Sequence, residues 1–366
     1  MFRKLRRFIY NIYFKMVRHL LPVNIYLFNS PYGYHDNAKY LMAYFYKKKE
    51  KVYWVSTKKN IDGSKRGIMS NSLILKLLLP RVKVCFITHG YQNVCKSIPS
   101  AIKIVNLWHG MAWHGIALKK MGYDSMLDIK KFNLREKNPY LRNDYLISSS
   151  DVTKRDMQSC MDLYPRKVLA LGQPRTDILF EKGKDKVYCQ SIKSDASKNY
   201  NTIFLYAPTF RDSGGSEHIY RRIVDSFVSC ASDNSLLILR LHPEDKSIGE
   251  ALIDGARNVM LSSTLDPIQD FLITDVLISD YSSIIFDFMI LERPIYLFTP
   301  DYSSYMSDRS GFYFDYDDIM KGTIMYKNAV DSQLWCSPVS EKRHIYPAVN
   351  SLHNKKSSAS VYNYFH

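Results

Sequence analysis

The sequence predicts an α/β protein of two domains, each built on a parallel sheet, and three observations carry that prediction. Short apolar runs bounded by turn residues alternate with segments of helical period, the pattern of strands joined by crossover helices. A chain of 366 residues is too long for one small core and suits two domains of ordinary length. Residues 181–200 (EKGKDKVYCQSIKSDASKNY) are polar, charged and aperiodic, and the alternating pattern restarts beyond them.

The elements follow in order. Residues 1–22 form a basic amphipathic helix: Leu5, Ile9, Ile12, Met16 and Leu20 recur at helical spacing, while Arg3, Lys4, Arg6, Arg7, Lys15 and Arg18 meet no acid. The segment lacks the long apolar stretch and cleavage site of a signal peptide, and it suits an anionic membrane surface. The alternative is a first helix packed on its own domain. The first domain, 23–180, carries strands at VNIYLF, KVYWVS, VKVCFIT, IKIVNLW, DYLISSS and KVLALG, with helices at NAKYLMAYFYKKK and DVTKRDMQSCMDL between them. Residues 181–200 are the linker. The second domain, 201–345, carries strands at TIFLYAPTF, SLLILRLHP, NVMLSS, DVLISDYSS and PIYLFTPD, separated by helices near 218–230, 267–274 and 283–292. Residues 346–366 remain as a tail. Two such sheets facing across a cleft take their ligands at the carboxyl ends of the strands.

Composition narrows the function. Lys and Arg number 51 against 35 Asp and Glu, a formal net charge of +16 that calls for an anionic partner. Nucleic acid is the bland candidate, but the cations are dispersed and no recognised nucleic-acid motif is present. The six cysteines (85, 95, 160, 189, 230 and 336) form no CxxC pair and no dense framework, which fits a reducing compartment and argues against structural zinc. No apolar run is long enough to cross a membrane, and no GxGxxG is present.

The residues suited to chemistry cluster at expected strand ends. His242 in RLHPED directly follows an apolar strand, with Arg240 two residues back on the same face as a candidate donor-binding residue; an imidazole there can bond a phosphate oxygen and steady a departing phosphate, or serve a structural bond. In LISDYSSIIFDF, Tyr281, Ser282 and Ser283 fall at a strand-to-helix turn, where backbone N–H groups and hydroxyls bind phosphate; Ser283 is equally an ordinary helix cap. Asp287, one helical turn on, is placed to accept from ribose hydroxyls, or is equally a solvent-facing acid in the first turn of a helix. YAPTFRD supplies Thr209, Arg211 and Asp212, and LGQPRTD supplies Arg175 and Asp177; either Arg can pair with phosphate or with a carboxylate of the protein. In NLWHGMAWHGIALKK, Trp-His-Gly occurs twice, with His109 and His114 five residues apart. That spacing shares no helix face and lacks the Glu of HExxH, so a metal site is not expected. A histidine at a strand end, followed by Gly, can face a cleft as general base for an acceptor hydroxyl, with Lys119 and Lys120 attracting an anionic acceptor.

Read together and in order, WHG with LKKMG, LGQPRTD, YAPTFRD, RLHP, SDYSSIIFD and GFYFD make the chain resemble the CDP-glycerol glycerophosphotransferase family over residues 23–330. The resemblance implies a GT-B fold of two Rossmann-like domains, a CDP-activated alditol donor held by the second, and metal-independent transfer of an alditol phosphate with no cofactor. It further implies that a WHG histidine is the base, that His242 contacts the donor diphosphate, that Ser282 and Ser283 bind phosphate and that Asp287 contacts ribose. Its acceptor would be an anionic or lipid-linked teichoic-acid-like or capsular polymer, and its location peripheral, on the cytoplasmic face of a bacterial membrane. Between the two WHG histidines, His109 lies where the strand IKIVNLW ends, whereas His114 has the family's spacing to LKKMG; the strand end favours His109. The family's Arg directly before GFYFD is displaced here, since Ser310 separates Arg309 from Gly311. The rival enzymes are a CDP-ribitol transferase and a GT-B glycosyltransferase using a nucleotide sugar.

Overall fold

The computed structural model describes residues 2–57, 66–107, 116, 118–134, 142–163, 167–211, 216–308, 311–320, 323–327, 330–336 and 352–366. The chain divides into two compact units. The first comprises residues 1–112, 132–177 and 353–366, and the second residues 113–131 and 178–352.

In the first unit, β1 (Ile25–Asn29), β2 (Lys51–Ser56), β3 (Gly67–Met69), β4 (Val82–Ile87), β5 (Lys103–Asn106), β6 (Tyr145–Ile147) and β7 (Val168–Leu169) form a sheet of order β3-β2-β1-β4-β5-β6-β7. Every recorded pair in it is parallel. A parallel sheet is covered on both faces, so its strands read as continuous apolar runs. Successive residues of β1 accordingly feed opposite cores: Ile25 and Leu27 join Val55, Leu75, Val82 and Ile104, whereas Tyr26 and Phe28 join Phe45, Trp54, Phe86 and Val361.

In the second unit, β8 (Thr202–Tyr206), β9 (Ser235–Leu239), β10 (Val259–Leu261), β11 (Val276–Ser279), β12 (Ile295–Phe298) and β13 (Ile324–Tyr326) form a parallel sheet of order β10-β9-β8-β11-β12-β13. The chain runs outward from β8 to β10, then returns to place β11 on the other side of β8. The strand order reverses at β8 and β11, and in open parallel sheets ligands bind at the carboxyl ends beside such a reversal. Thr209 and Ser282 lie just beyond those two strands.

The domain boundaries differ from the sequence reading in three places. Residues 181–200 are not a linker: they contain the helix Lys186–Ser191 and belong to the second unit, where Arg293 donates to the Gly183 carbonyl at 2.7 Å. The tail ends in a helix, Ser357–Phe365, that belongs to the first unit and buries Val361 and Phe365 in its core. Finally, residues 113–131 leave the body of the first unit's sequence and join the second. Short helices and a detour of this length carry too little period to be read from sequence.

The N-terminal helix, Phe2–Leu20, packs on its own domain along one side only. One side is docked on the first unit: Phe14 is buried, Tyr10 and Tyr13 donate to the Lys76 and Leu77 carbonyls, and Arg18 donates to Pro80, Val82 and Ala101. The other exposes Leu5, Phe8, Ile9, Ile12, Met16 and Leu20, each more than half accessible. The helix it docks on, Leu73–Leu78, exposes Leu73 and Ile74 as well. Among the described residues no helix is long and apolar enough to cross a membrane.

Candidate active site

The polar residues of the second unit gather at the carboxyl ends of β9, β8 and β11, which are neighbours in the sheet. His242 caps a short 3-10 turn, Pro243–Asp245, and lies three residues past the end of β9 at Leu239. The imidazole is half-buried, its ring lies 4.6 Å from the Phe210 ring, and Nδ1 accepts from the Glu244 N–H at 3.3 Å. Phe210 follows β8, so the two strand ends meet through these rings. Sequence reasoning passed over Phe210 because an aromatic beside Thr209 reads as core.

The two arginines expected to meet the donor, Arg211 and Arg240, are each paired with carboxylates of the protein. Arg211 is almost fully buried; Nη1 meets Asp280 at 2.6 Å, Nε and Nη2 meet Asp301 at 2.9 and 3.1 Å, and Nη1 also donates to the Thr209 carbonyl. Its guanidinium lies over the Tyr281 and Tyr305 rings, which stack 3.8 Å apart. Burial alone would lower its pKa, but the two carboxylates outweigh burial and raise it, so it stays cationic. Arg240 donates to Asp270 at 2.7 Å, to Ser262 and Thr264, and to the Leu265 carbonyl, fastening the segment after β10. Arg211, buried and closed by two carboxylates and a carbonyl, does not match the expected donor-binding role, whereas Arg240, bonded to the protein through Nη1 and Nη2, stays partly accessible.

Tyr281 is likewise internal: its hydroxyl donates to Asp301 at 3.2 Å, and burial together with Asp301 and Asp280 raises its pKa. Its position at the strand-to-helix turn is as expected, its side chain's direction is not. Ser282 is half-exposed at the head of the helix Ile284–Met289, with Oγ 3.5 Å from the Ile284 N–H. Ser283 and Asp287 are buried, and the Thr209 N–H donates to Asp280 at 2.8 Å. Among the expected donor residues, then, the structure leaves Arg240, His242, Thr209 and Ser282 partly accessible at three adjoining strand ends, but the Thr209 hydroxyl is buried and its N–H is taken by Asp280, so its expected donor-binding role is not met.

The lysines after the WHG repeat lie on a clip. Lys119 bridges to Phe312 in antiparallel register, Lys120 N–H donates to the Gly311 carbonyl at 3.0 Å, and Tyr313 N–H donates to the Leu118 carbonyl at 2.9 Å. The Tyr313 hydroxyl donates to Asp124 at 2.8 Å. Two motifs read separately from sequence, LKKMG and GFYFD, are therefore one local structure of the second unit. Lys119 lies over the Tyr305 ring at 5.0 Å and Lys120 is exposed. Gly311 has φ +95°, a backbone that side chains rarely adopt.

In the first unit, LGQPRTD is a structural hub and Arg175 is not a phosphate ligand. Arg175 is buried, Nη1 pairs with Asp36 at 2.7 Å, and its N–H donates to Asn37 Oδ1. Asn37 Nδ2 in turn donates to the Leu107 carbonyl at 3.1 Å, just past β5. Asp177 accepts from the Ser357 and Ser358 N–H groups at 2.7 and 2.8 Å, capping the C-terminal helix. Gly172 has φ +87°, and a Cβ there would run into Ser357.

His109, His114 and Arg309 lie outside the described residues. β5 ends at Asn106, short of the Trp108 at which the sequence reading ended it; Leu107 remains tied by its N–H to the Ile87 carbonyl at 2.7 Å. Among the described residues no three His, Cys, Asp or Glu side chains are grouped to hold a metal ion.

Comparison with known proteins places this geometry. The teichoic acid glycerol-phosphate transferase of Staphylococcus aureus is 28% identical over 85% of this chain and 83% of its own. The teichoic acid poly(glycerol phosphate) polymerase of Bacillus spizizenii is 27% identical over 88% of this chain and 86% of its own. The solved structure of the wall teichoic acid polymerase TagF superposes with a TM-score of 0.76 at 22% identity, covering 100% of this chain and 97% of that one, so the two share a GT-B-like fold of two parallel-sheet units. The profile of one family matches residues 12–365, nearly the whole chain, and by that match the chain belongs to the CDP-glycerol:poly(glycerophosphate) glycerophosphotransferase family.

Proposed function

We propose that this chain transfers glycerol phosphate from CDP-glycerol to a hydroxyl of a growing teichoic-acid-like or capsular polymer, releasing CMP. The observation that carries the reading at the level of the site is His242: a half-buried imidazole at a strand end, beside the reversal of strand order, with Nδ1 already engaged and Phe210 against its ring. A TagF variant soaked with CDPG has a fold of this kind, with a TM-score of 0.76. In the reaction the acceptor oxygen forms a bond to the phosphorus that bears glycerol, and the bond from that phosphorus to the bridging oxygen breaks. CMP leaves with the electron pair, and the acceptor proton passes to the imidazole of His109 or His114. His242 donates a hydrogen bond to the diphosphate, and the Ser282 turn holds its oxygens. The transfer needs no metal in this reading and persists in EDTA.

Purified protein given CDP-glycerol and a glycerol-phosphate-primed acceptor should release CMP stoichiometrically with polymer extension. Release from CDP-ribitol and not from CDP-glycerol would reassign the donor; release from neither would sink the proposal.

The exposed apolar side of the N-terminal helix, with Arg6, Arg7 and Lys15 exposed on the same helix, supports binding to an anionic membrane surface. Leu73 and Ile74, on the helix it docks against, extend the apolar area. A peripheral location on the cytoplasmic face, where a lipid-linked acceptor is held, follows from that reading.

A further inference from the structure

We propose that Tyr220 and Asp245 are positioning residues that hold His242 as a neutral imidazole with its proton on Nε2, so that it acts as a fixed hydrogen-bond donor to the diphosphate and not as a proton donor. This rests on the role of His242 given above. The two imidazole nitrogens are distinguished by what each already does: in the neutral ring one is a donor and the other an acceptor. Nδ1 faces the Glu244 N–H at 3.3 Å, and a backbone N–H only donates, so Nδ1 must accept and the ring proton sits on Nε2.

That arrangement depends on the turn keeping its shape. Asp245 N–H donates to the His242 carbonyl at 2.9 Å, closing the 3-10 turn. The Asp245 side chain is buried, and Oδ2 accepts from the Tyr220 hydroxyl at 2.8 Å, across from the helix Ser216–Cys230. Burial, and then Asp245 itself, raise the Tyr220 pKa, although Ser216 opposes the shift, so the phenol is protonated and is the donor in that bond. Tyr220 is in turn packed edge-on against Tyr206 of β8, a buried residue of the sheet. A continuous path therefore runs from the sheet through Tyr220 and Asp245 to the turn that orients the imidazole, and Phe210 supports the ring from the other strand end. In this arrangement His242 contributes through the position of a preorganised dipole, which stabilises charge on the departing phosphate without reorganising during the reaction.

The test has two parts. Long-range ¹H–¹⁵N correlation on the full-length protein labelled at histidine should show His242, assigned by its loss in His242→Ala, in the Nε2–H form; an Nδ1–H form overturns the inference, and this measurement needs no destabilised variant. Second, Tyr220→Phe keeps the ring and removes the hydroxyl, and should lower kcat for CMP release roughly 10- to 100-fold with KM for CDP-glycerol little changed. In a His242→Ala background the same change should cost nothing further, since it acts through an imidazole already removed. Losses that multiply would show a general structural effect and overturn the inference while leaving His242 its role. CMP release by His242→Ala at the parent rate would instead remove the role itself, and the inference with it.

Discussion

Arg211 and Asp280 meet at 2.6 Å in the interior of the second unit, and the same guanidinium is closed on its other edge by Asp301. One cation between two carboxylates, laid over the stacked Tyr281 and Tyr305 rings, is a joint between the ends of β8, β11 and β12. Asp280 also accepts from the Thr209 and Tyr281 N–H groups, so the strand ends that carry the donor turn are referenced to one carboxylate.

Removing that cation leaves two carboxylates facing each other, one of them buried. Arg211→Met should destabilise the protein by about 3–5 kcal/mol, the cost of breaking a buried pair by deleting one partner. Arg211→Lys should recover only part, because an ammonium cannot bridge two carboxylates as a planar fork does. Urea midpoints measure both. An Arg211→Met protein as stable as the parent, with a raised KM for CDP-glycerol, would return Arg211 to the ligand.

Most of the sheet architecture is legible in the sequence, because strands covered on both faces must be apolar throughout, and VNIYLF or SLLILRL leaves little alternative. The edge strands β3 and β13, three residues each, are too short to show a period. The helix Ser357–Phe365 is opaque for another reason: SSASVYNYF is mostly polar, and its place is fixed by Asp177, some 180 residues earlier in the chain. The same limit explains the arginines. Sequence shows that a guanidinium stands at a strand end; it does not show that Asp280 and Asp301, 69 and 90 residues on, arrive beside it. His242 was legible because its surroundings are local: Pro243 and the Glu244 N–H are its next neighbours.

Asp177 makes the C-terminal helix sensitive to pH. Burial raises its pKa above 3.8, against the opposing bonds from Ser358 and Ser357. The folded state then binds this proton more tightly than the unfolded chain does. The stability this group contributes is complete below its unfolded pKa and is lost as pH rises through the raised folded value. Asp177→Asn removes the titration, so parent stability measured relative to that variant by denaturant should fall as pH rises from the ordinary carboxylate range through the raised folded value, and then level off. A difference that grows with pH would mean that the carboxylate bonds to the helix outweigh burial.

The doubled WHG offers two bases for one reaction, and only one proton is transferred per turnover. Replacing the true base by Ala should lower kcat by about 10²–10⁴-fold, with KM for CDP-glycerol little changed. Replacing the other should leave kcat within a small factor of the parent. His109→Ala and His114→Ala, assayed for CMP release with saturating donor, decide between the strand-end position and the LKKMG spacing. Full activity in both variants would exclude a general base from this segment.

The N-terminal helix gives the last prediction, because it separates attachment from chemistry. Tyr10, Tyr13 and Arg18 hold the helix to the first unit through backbone carbonyls, so its exposed apolar side is fixed in orientation and not free to fold inward. Leu5→Glu with Ile9→Glu and Ile12→Glu changes that side alone and spares the docking residues. Each substitution exchanges an apolar contact with the acyl boundary for a carboxylate repelled by anionic lipid, so the two effects add in the same direction. The triple variant should lose sedimentation with phosphatidylglycerol vesicles, keep its urea midpoint, and keep CMP release on a soluble acceptor. Deleting residues 1–20 should lose vesicle binding too but lower the midpoint, since Phe14 and Arg18 leave with the segment. Vesicle binding retained by the triple variant would mean that the basic side chains alone, or another surface, make the attachment.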